Sequence, residues 1–284
     1  MRAAIVLQGD APAALLAGIR AACGATSVEP AGERVVRLCG MHELPDAAGR
    51  ARITALAEAA RVDCAFIAAP RPLTDYRLAV MDMDPTLITI ECIDEIADMQ
   101  GIKPAVAAIT EAAMRGEIDF AQALRRRVAL LKGLPVAALQ RVYEERLRPS
   151  PGAESMLAAF RAAGLATLLV SGGFTFFTSR LAERLALDDA RANVLDVENG
   201  VLTGAVIGAI VDGEAKRRAL LDTCEHLGAR PDQAIAIGDG ANDLPMMRAA
   251  GVSVAYRAKP LVRAQATYAI NHNGLDAVPA LFFK

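Results

Sequence analysis

Cysteine is scarce in this sequence of 284 residues, and its spacing carries no metal or disulfide motif. The five cysteines are scattered and odd in number, and no two of them form a C-x-x-C pair. A zinc site or a disulfide framework needs regular spacing or an even count. The sequence therefore favours reduced cysteines that pack as small apolar residues in a cytoplasmic protein.

Long apolar runs and an excess of basic charge are also missing. No apolar run reaches the roughly 18 to 20 residues that a membrane helix needs. The apolar N-terminal run is broken by Gln8, Gly9 and Asp10, which makes it a poor signal peptide. The formal net charge is -2, and no basic stripe indicates nucleic-acid binding. We therefore expect neither a membrane nor a nucleic-acid partner.

The composition is that of a globular protein with a full-sized core, because 54% of the residues are hydrophobic and 23% are charged. The length suits one large domain or two smaller ones. Residues 1–72 show a strand-helix-strand-helix-strand pattern, with strands predicted at 3–8, 33–38 and 63–69. Two prolines in the segment 70–76 then predict a linker.

From Leu78 onward the pattern is typical of a parallel α/β fold. Asn199-Gly200 predicts a hairpin, and Ser150 with Pro151 predicts the start of a helix. Strands are predicted at 78–82, 165–173, 233–240, 252–256 and 266–270. A mostly helical insertion separates the first of these strands from the second. Such an insertion, directly after a strand that ends in polar residues, is a natural lid.

Polar residues end three of the predicted strands. Asp82 and Asp84 follow the first, "SGG" at 171–173 ends the second, and "GDGAND" at 238–243 ends a later one, preceded by Lys216. In open parallel sheets, ligands bind at the carboxyl ends of the strands. Carboxylates that converge there favour a hard cation such as Mg2+, and a glycine turn favours phosphate. Each segment alone is explained as well by a turn, an acidic loop or a solvated lysine, but the ordered set is improbable by accident.

These segments resemble the four motifs of the haloacid dehalogenase-like phosphohydrolases, and most closely those of the phosphoserine phosphatase family. The matching stretches are "DMDPTLITIECIDEIA", "VSGGF", "AK" at 215–216 and "GDGAND". The resemblance implies a Rossmann-like parallel-sheet core at 76–90 and 150–284 with a helical cap at 91–149. Residues 1–72 resemble, less closely, the ACT-like or ferredoxin-like α+β domain of many bacterial members.

The resemblance implies that the protein hydrolyses O-phospho-L-serine to L-serine and phosphate, which is the last step of serine biosynthesis. Asp82 would be the nucleophile that forms an aspartyl-phosphate. Asp84 would protonate the leaving oxygen and later activate water. The side chains of Asp82 and Asp239 and the backbone carbonyl of Asp84 would hold Mg2+.

The remaining motif residues would bind the phosphate or support the metal site. Asn242 would contact the substrate and, with Asp243, orient the metal shell and Lys216, while Thr86 would support the metal ligands. The groups that bind phosphate oxygens would be Ser171, the Gly172 amide and Lys216.

The cap would select the substrate. Glu91 would bind the ammonium group of phosphoserine, and Arg127 its carboxylate, because a guanidinium grips a carboxylate with two hydrogen bonds. Phe120 would line the pocket. Without the first motif, Glu91 would be interpreted as a helix-start carboxylate and Arg127 as a solvated residue, which is the prediction for Arg125 and Arg126.

Pro85 departs from the family, which usually has serine or another small polar residue at that position. Proline removes a backbone amide that would otherwise be free to hold the Asp82 loop. One alternative function is therefore a catalytically weak, amino-acid-binding regulatory protein. A phosphatase for another small phosphorylated acid is a second alternative. Because every other catalytic position matches, we expect activity to be retained.

The sequence leaves two candidate partners for the N-terminal unit. One is serine or another amino acid, bound as in a regulatory domain. The other is a second copy of the chain, because a sheet of few strands often completes itself by pairing across subunits. The expected assembly is a homodimer.

Overall fold

The computed structural model describes residues 3–283, apart from the side chain of Met114. Its N-terminal unit is an antiparallel sheet with the strand order β2-β3-β1-β4, covered by two helices. The elements are β1 (Ala4–Gln8), α1 (Ala13–Cys23), β2 (Ser27–Gly32), β3 (Val35–Cys39), α2 (Ala47–Ala59) and β4 (Asp63–Ile67). This order of strands and helices is the ferredoxin-like arrangement.

The five-element pattern predicted for this unit is wrong in one respect, because it omits β2. The segment "SVEPAG" contains Pro30 and Gly32, which are poor strand formers. It becomes an edge strand only by pairing with β3, between Ser27 and Cys39 at one end and Gly32 and Val35 at the other. Pairing across the sheet therefore decided an element that local propensity did not indicate.

Both faces of the N-terminal sheet are packed. Ile5 and Leu7 of β1 join the helices in a small core with Ile19 and Ile53. Val6 lies between them in the chain and points to the opposite face, where it joins the large core of the rest of the molecule. The N-terminal unit is thus docked by apolar burial.

Hydrogen bonds to the C-terminal segment reinforce this docking. The buried Asp63 carboxylate accepts from the backbone amides of Asn271 (2.7 Å), His272 (3.2 Å) and Asn273 (3.0 Å). The Gln8 side-chain amide donates to the carbonyl oxygen of Ala277 at 2.7 Å. The boundaries 1–72, 76–90 with 150–284, and 91–149 stay predictions.

The second sheet has the strand order β11-β10-β9-β5-β6-β7-β8, and all neighbours are parallel except β7 and β8. Asn199 and Gly200 take positive φ angles of 51° and 79° at the predicted hairpin between those two strands. The strands are β5 (Leu78–Met81), β6 (Ala166–Phe174), β7 (Asp189–Glu198), β8 (Val201–Ile207), β9 (Ala234–Gly238), β10 (Val252–Tyr256) and β11 (Tyr268–Ile270).

Helices cover this sheet, and four of them form the cap after β5. The cap contains α3 (Cys92–Met99), α4 (Lys103–Met114), α5 (Phe120–Ala129) and α6 (Val136–Arg141). The remaining helices are α7 (Ala153–Ala162), α8 (Thr175–Leu185), α9 (Gly213–His226), α10 (Leu244–Ala249) and α11 (Pro260–Arg263). The predicted α/β fold with a helical insertion after the first core strand is confirmed.

Backbone hydrogen bonds join the cap to the core where the chain enters and leaves it and again at β8. Where the chain enters and leaves it, the Thr89 amide donates to the carbonyl of Arg148 at 3.0 Å. Farther away, the Gly133 amide donates to the carbonyl of Leu202 in β8, and the Leu202 amide donates to the carbonyl of Leu134, both at 2.8 Å. These bonds hold α5 over the carboxyl ends of the parallel strands.

The helix after the cap starts later than predicted. Gly152 is its N-cap, with φ at 79°, and the helix begins at Ala153. Ser150 is therefore not the cap, because its buried hydroxyl donates instead to the carbonyl of Thr86 at 2.7 Å. This bond ties the end of the cap to the loop that follows β5.

Across residues 3–283, no helix combines the length and the apolar character that crossing a membrane would require.

Candidate active site

A cleft of about 540 Å3 lies between the cap and the carboxyl ends of β5, β6 and β9. It brings together predicted site residues that are far apart in the sequence. Three further predicted residues bond to its lining from below, Lys216 through Asp82, Thr86 through Asp239, and Asp243 through the amides of Asp239 and Gly240. The predicted residues in the lining itself are Asp82, Asp84, Glu91, Phe120, Arg127, Ser171, Gly172, Asp239 and Asn242.

Asp82 stands directly after the buried strand β5, and only 3% of it is exposed. Its Oδ1 accepts a hydrogen bond from the Met83 amide at 2.7 Å and lies 2.7 Å from Lys216 Nζ. Lys216 is fully buried, and its Nζ also donates to Oδ1 of Asp243 at 2.7 Å. One ammonium group therefore joins two carboxylates beneath the cleft.

The charges in this trio do not balance. Burial raises the pKa of Asp82 well above its usual value, and repulsion from Asp243 raises it further, against the opposing effect of Lys216. Burial by itself would lower the pKa of Lys216, but Asp243 and Asp82 outweigh it and raise that pKa. Lys216 thus stays protonated, and its single positive charge is shared by two buried carboxyl groups.

The loop after Asp82 is closed by backbone bonds that bypass Pro85. The Leu87 amide donates to the Asp82 carbonyl at 3.3 Å, and the Ile88 amide donates to the Met83 carbonyl at 3.1 Å. The Asp82 carboxylate is held by Met83 and Lys216. A proline at position 85 therefore leaves the bonds that position this carboxylate intact.

Asp84 is held at both carboxylate oxygens by Cys92, the first residue of α3. The Cys92 amide donates to Oδ2 at 3.0 Å, and its thiol lies 3.6 Å from Oδ1. Burial raises the pKa of Asp84 to about 8, and the nearby Glu91 carboxylate adds to the shift. Asp84 is therefore protonated at neutral pH, as a general acid must be. The sequence suggested only apolar packing for Cys92.

The carboxylates around Asp239 fit a metal ion. Oxygens of Asp82, Asp239 and Asp243 lie within 4.8 Å of one another. Burial raises the pKa of Asp239 to about 6, and repulsion from Asp243 adds to it. Buried acidic oxygens with a single ammonium partner are the donor set and the charge imbalance that a hard cation neutralises.

The hydrogen bonds of Asp243 separate its role from that of the other two carboxylates. Its Oδ1 accepts from Lys216, and its Oδ2 accepts from the amides of Asp239 (3.1 Å) and Gly240 (3.0 Å). Both oxygens are engaged, so Asp243 is built to orient its neighbours. Thr86 donates its hydroxyl to Oδ1 of Asp239 at 2.9 Å and positions that carboxylate from the other side.

The turn at the end of β6 lets three elements approach closely. A Cβ atom on Gly172 would lie 2.8 Å from Cζ of Phe120 in the cap, and one on Gly173 would lie 2.9 Å from Cε of Met83. A side chain at either position would have to displace the end of Phe120 or of Met83. The Gly173 amide donates to the Ser171 hydroxyl oxygen at 2.9 Å. The cap thus rests on this turn and encloses the cleft.

Arg127 enters the cleft from α5, whereas Arg125 and Arg126 are exposed, as predicted. Its Nε is buried without a hydrogen-bond partner, and no described carboxylate forms an ion pair with it. Burial lowers the pKa of Arg127. Glu91 is open to the interior of the cleft, where enclosure by protein raises its pKa to about 6. A cation and an anion, both without close partners, therefore face the cleft from the cap side.

Several lining residues were not predicted. Lys259 follows β10, and its amide donates to the Asp239 carbonyl at 3.4 Å. Thr110 contributes from α4, and Gly173 lies in the predicted turn at 171–173 but was given no role of its own. The available signal for Lys259 was its position just beyond a predicted strand, the same signal that identified the acidic residues.

We expect the metal-free protein to lose stability as the pH rises. The pKa is raised from 3.8 to about 8 at Asp84, from 3.8 to about 6 at Asp239, and from 4.5 to about 6 at Glu91. A carboxyl whose pKa is higher in the folded state binds more protons when folded. Its contribution is therefore greatest at low pH and is lost as the pH passes the folded value. The free energy of unfolding in EDTA should fall between about pH 4 and about pH 8.

Urea denaturation in EDTA at about pH 5 and about pH 8 measures this change. Adding a divalent cation should recover more stability at the higher pH, where the carboxylates are charged. The Asp84→Asn variant is the control and should show a shallower pH dependence. A metal-free stability that increases across this range would contradict the assignment.

Comparison with known proteins gives one family. A family model described as haloacid dehalogenase-like hydrolase matches residues 79–248. A curated phosphoserine phosphatase from a Polaromonas species is 60% identical over 209 residues, which are 72% of this chain and 89% of the relative.

Two solved structures have a similar fold over nearly the whole of this chain. A haloacid dehalogenase family hydrolase from Salmonella enterica serovar Typhi has a TM-score of 0.91 at 30% identity, and the match covers 99% of this chain and 98% of the other. A probable phosphoserine phosphatase from Vibrio cholerae has a TM-score of 0.84 at 35% identity, with 98% and 85% covered. The match therefore includes the N-terminal unit as well as the cleft.

Proposed function

Because this chain belongs to the haloacid dehalogenase-like hydrolase family, we propose the following assignment of its site residues to the hydrolysis of phosphoserine. The protein is a phosphomonoester hydrolase, and its function is that of a phosphoserine phosphatase, which releases L-serine and phosphate. The 60% identity to a phosphatase of that name supports the substrate. The individual roles rest on the geometry of the cleft.

Asp82 is the nucleophile. Its Oδ1 is held by the Met83 amide and Lys216, so Oδ2 is the oxygen that attacks phosphorus. The new bond from Oδ2 to phosphorus forms while the bond from phosphorus to the serine oxygen breaks. Asp84, protonated at neutral pH, gives its proton to the departing serine oxygen.

The second half of the reaction returns both aspartates to their starting state. Asp84 is now a carboxylate and takes a proton from a water molecule as that water attacks phosphorus. The bond between Asp82 and phosphorus breaks, phosphate leaves, and Asp84 holds its proton again. Cys92 keeps the Asp84 carboxylate in one orientation through both steps.

The phosphate is bound from two strands. The Ser171 hydroxyl and the Gly172 amide contact its oxygens from the end of β6, and Lys216 neutralises charge from below. Asn242 also lines the cleft and completes the binding.

The metal is Mg2+ in this proposal, because the donors are carboxylate oxygens. Asp82, Asp239 and the carbonyl of Asp84 would hold it, and Thr86 and Asp243 would orient those ligands. When bound, it neutralises phosphate charge so that an anion can attack an anion.

Arg127 is the observation that carries the substrate assignment. The Nε of Arg127 is buried and unbonded at the cleft, so the guanidinium is suited to an anion, and the carboxylate of phosphoserine supplies one. Glu91 opens to the same space and supplies the counter-charge for the ammonium group. A phosphorylated acid without an amine would leave Glu91 unpaired, which favours phosphoserine over other small phosphorylated acids.

The alternative of a catalytically weak regulatory protein rested on the idea that Pro85 disturbs Asp82. The bonds that hold the Asp82 carboxylate do not involve Pro85, so this argument no longer supports it. An amino-acid ligand at the N-terminal unit, a homodimer and a cytoplasmic location stay predictions. Size-exclusion chromatography with light scattering is the direct measurement of the assembly.

The decisive experiment compares Arg127→Ala with the unmodified protein on L-phosphoserine and on an aryl phosphate. The unmodified protein should release phosphate from phosphoserine in Mg2+ and stop in EDTA. Arg127→Ala should raise KM for phosphoserine by about 10- to 100-fold, because a charge-assisted bond of about 1.5 to 3 kcal/mol is lost. The aryl phosphate carries no carboxylate, so its KM should change little.

Arg126→Ala is the matched control, because Arg126 lies beside Arg127 on α5 and is exposed. It should behave as the unmodified protein on both substrates. Equal effects of Arg127→Ala on the two substrates would remove Arg127 from the carboxylate role. Absence of release from every substrate would refute the function itself.

A further inference from the structure

The phosphate-binding turn at 171–173 is a bulge in β6, called the arch below. β6 and β7 pair in parallel up to Val170 and Arg191, and pairing resumes at Phe174 and Asn193. Three residues of β6 thus face one residue of β7. Such a bulge removes the regular ladder bonds and aims the extra residues away from the strand. The arch presents Ser171 and Gly172 to the cleft, but it needs another source of hydrogen bonds.

The side chain of Asn193 supplies those bonds. It is buried, with 1% exposed. Its Nδ2 donates to the Gly172 carbonyl at 2.8 Å, and its Oδ1 accepts from the Val211 amide at 2.8 Å. The amide group is thus bonded on both sides, as a buried polar group requires. Neither bonding partner is a side chain, so Asn193 acts on backbone position.

The bond to Gly172 fixes the orientation of the Ser171 hydroxyl. The Gly172 carbonyl and the Gly173 amide belong to one peptide group. Asn193 donates to the oxygen of this peptide group, and the N–H of the same group, which belongs to Gly173, donates to Oγ of Ser171 at 2.9 Å. Because the serine oxygen accepts this bond, its own proton is left to donate to a phosphate oxygen.

The bond to Val211 reaches the element that carries Lys216. Val211 precedes Asp212, the N-cap of α9, whose Oδ1 accepts from the Ala215 amide at 2.8 Å. The Lys216 amide donates to the Asp212 carbonyl at 2.9 Å in the first turn of the same helix. One end of the Asn193 amide therefore holds the serine turn, and the other holds the start of the lysine helix.

We propose that Asn193 is a positioning residue that sets the spacing between the Ser171 turn and the Lys216 helix for binding of the phosphoryl group. The proposal rests on the phosphatase function given above and adds a residue to it. Asn193 does not touch the substrate. It keeps the serine hydroxyl and the lysine ammonium at the distance at which both meet one phosphate.

The test uses Asn193→Ala and Asn193→Asp, with Asn273→Ala as the control. Asn273 also makes two hydrogen bonds with its side-chain amide, to the Gln8 carbonyl and the Asp63 carboxylate, but away from the cleft. Inorganic phosphate serves as a competitive inhibitor that reports on the phosphoryl pocket alone. Both Asn193 variants should weaken its inhibition by about 10- to 100-fold, the range expected when a supporting residue is lost.

The same variants should lower kcat/KM for phosphoserine and for an aryl phosphate by similar factors, since both substrates share the phosphoryl group. That pattern separates Asn193 from Arg127, whose loss affects phosphoserine alone. Asn193→Asp keeps the size of the side chain and the Val211 bond, so it decides the matter if Asn193→Ala does not fold. Phosphate inhibition equal to that of Asn273→Ala in a folded variant would overturn the proposal. Failure of the unmodified protein to hydrolyse phosphoserine would refute the function instead.

Discussion

Asp82→Asn should lower the turnover of phosphoserine by at least about 10^4-fold while the protein stays folded. The amide keeps the shape of the carboxylate and can still accept from Met83, but it offers no anionic oxygen to attack phosphorus. The fold should survive because one of two carboxylates that share Lys216 is removed, which relieves the repulsion that raises the pKa of Asp82. Phosphate release and urea denaturation in EDTA measure the two effects.

Asp188→Asn is the control for this substitution. The Asp188 carboxylate accepts from the Thr167 amide and hydroxyl, both at 2.8 Å, and lies outside the lining of the cleft. It should lose some stability and keep its turnover. Beryllium fluoride with Mg2+ should form an aspartyl-phosphate mimic in the unmodified protein but not in Asp82→Asn. Turnover of Asp82→Asn within tenfold of the unmodified protein would remove Asp82 as the nucleophile.

Lys216→Met should lose both activity and stability. The substitution leaves the carboxylates of Asp82 and Asp243 buried together without the ammonium group that lies 2.7 Å from each. Breaking a buried charge network in this way costs about 3 to 5 kcal/mol of the free energy of unfolding. Turnover should fall by about 10^2- to 10^3-fold or more, because the phosphate also loses a fixed positive charge.

A second substitution separates these two effects. The double variant Lys216→Met, Asp243→Asn also removes one of the two carboxylates that lost their ammonium partner. It should therefore recover much of the stability in EDTA but none of the turnover. The stability lost in Lys216→Met alone should be smaller near pH 5 than near pH 8, since the carboxylates then take up protons. A single variant that unfolds as readily as the unmodified protein at both pH values would show that Lys216 carries no structural charge.

Pro85 shows how far a motif can be interpreted without coordinates. The resemblance predicted roles for Asp82 and Asp84 and marked Pro85 as a departure, and retained activity was expected because every other catalytic position matched. The consequence depends on which amides hold the Asp82 carboxylate. The structure assigns that contact to Met83, so the loss of an amide at residue 85 does not disturb it.

Other residues of the site left little trace in the sequence. Asn193 lies inside a strand, where its side chain has no local partner, and its role exists only because β6 arches beside it. Cys92 acts on Asp84 because the chain folds back over eight residues. Lys259 reaches the cleft from the loop after β10, where its amide donates to the Asp239 carbonyl. Such contacts depend on spatial neighbours, which residue type and spacing do not encode.

The sequence by itself determined the α/β class, the helical insertion and the acidic, glycine and lysine residues of the four motifs, because hydrophobic periodicity and residue chemistry are local properties. Three properties of the site were decided only by the tertiary structure. The pKa of Asp84 is raised, both carboxylate oxygens of Asp243 accept hydrogen bonds, and the Nε of Arg127 has no hydrogen-bond partner. Each of these follows from burial and from charges that converge from separate strands and helices. A carboxyl or guanidinium group acquires its function from what surrounds it once water is excluded.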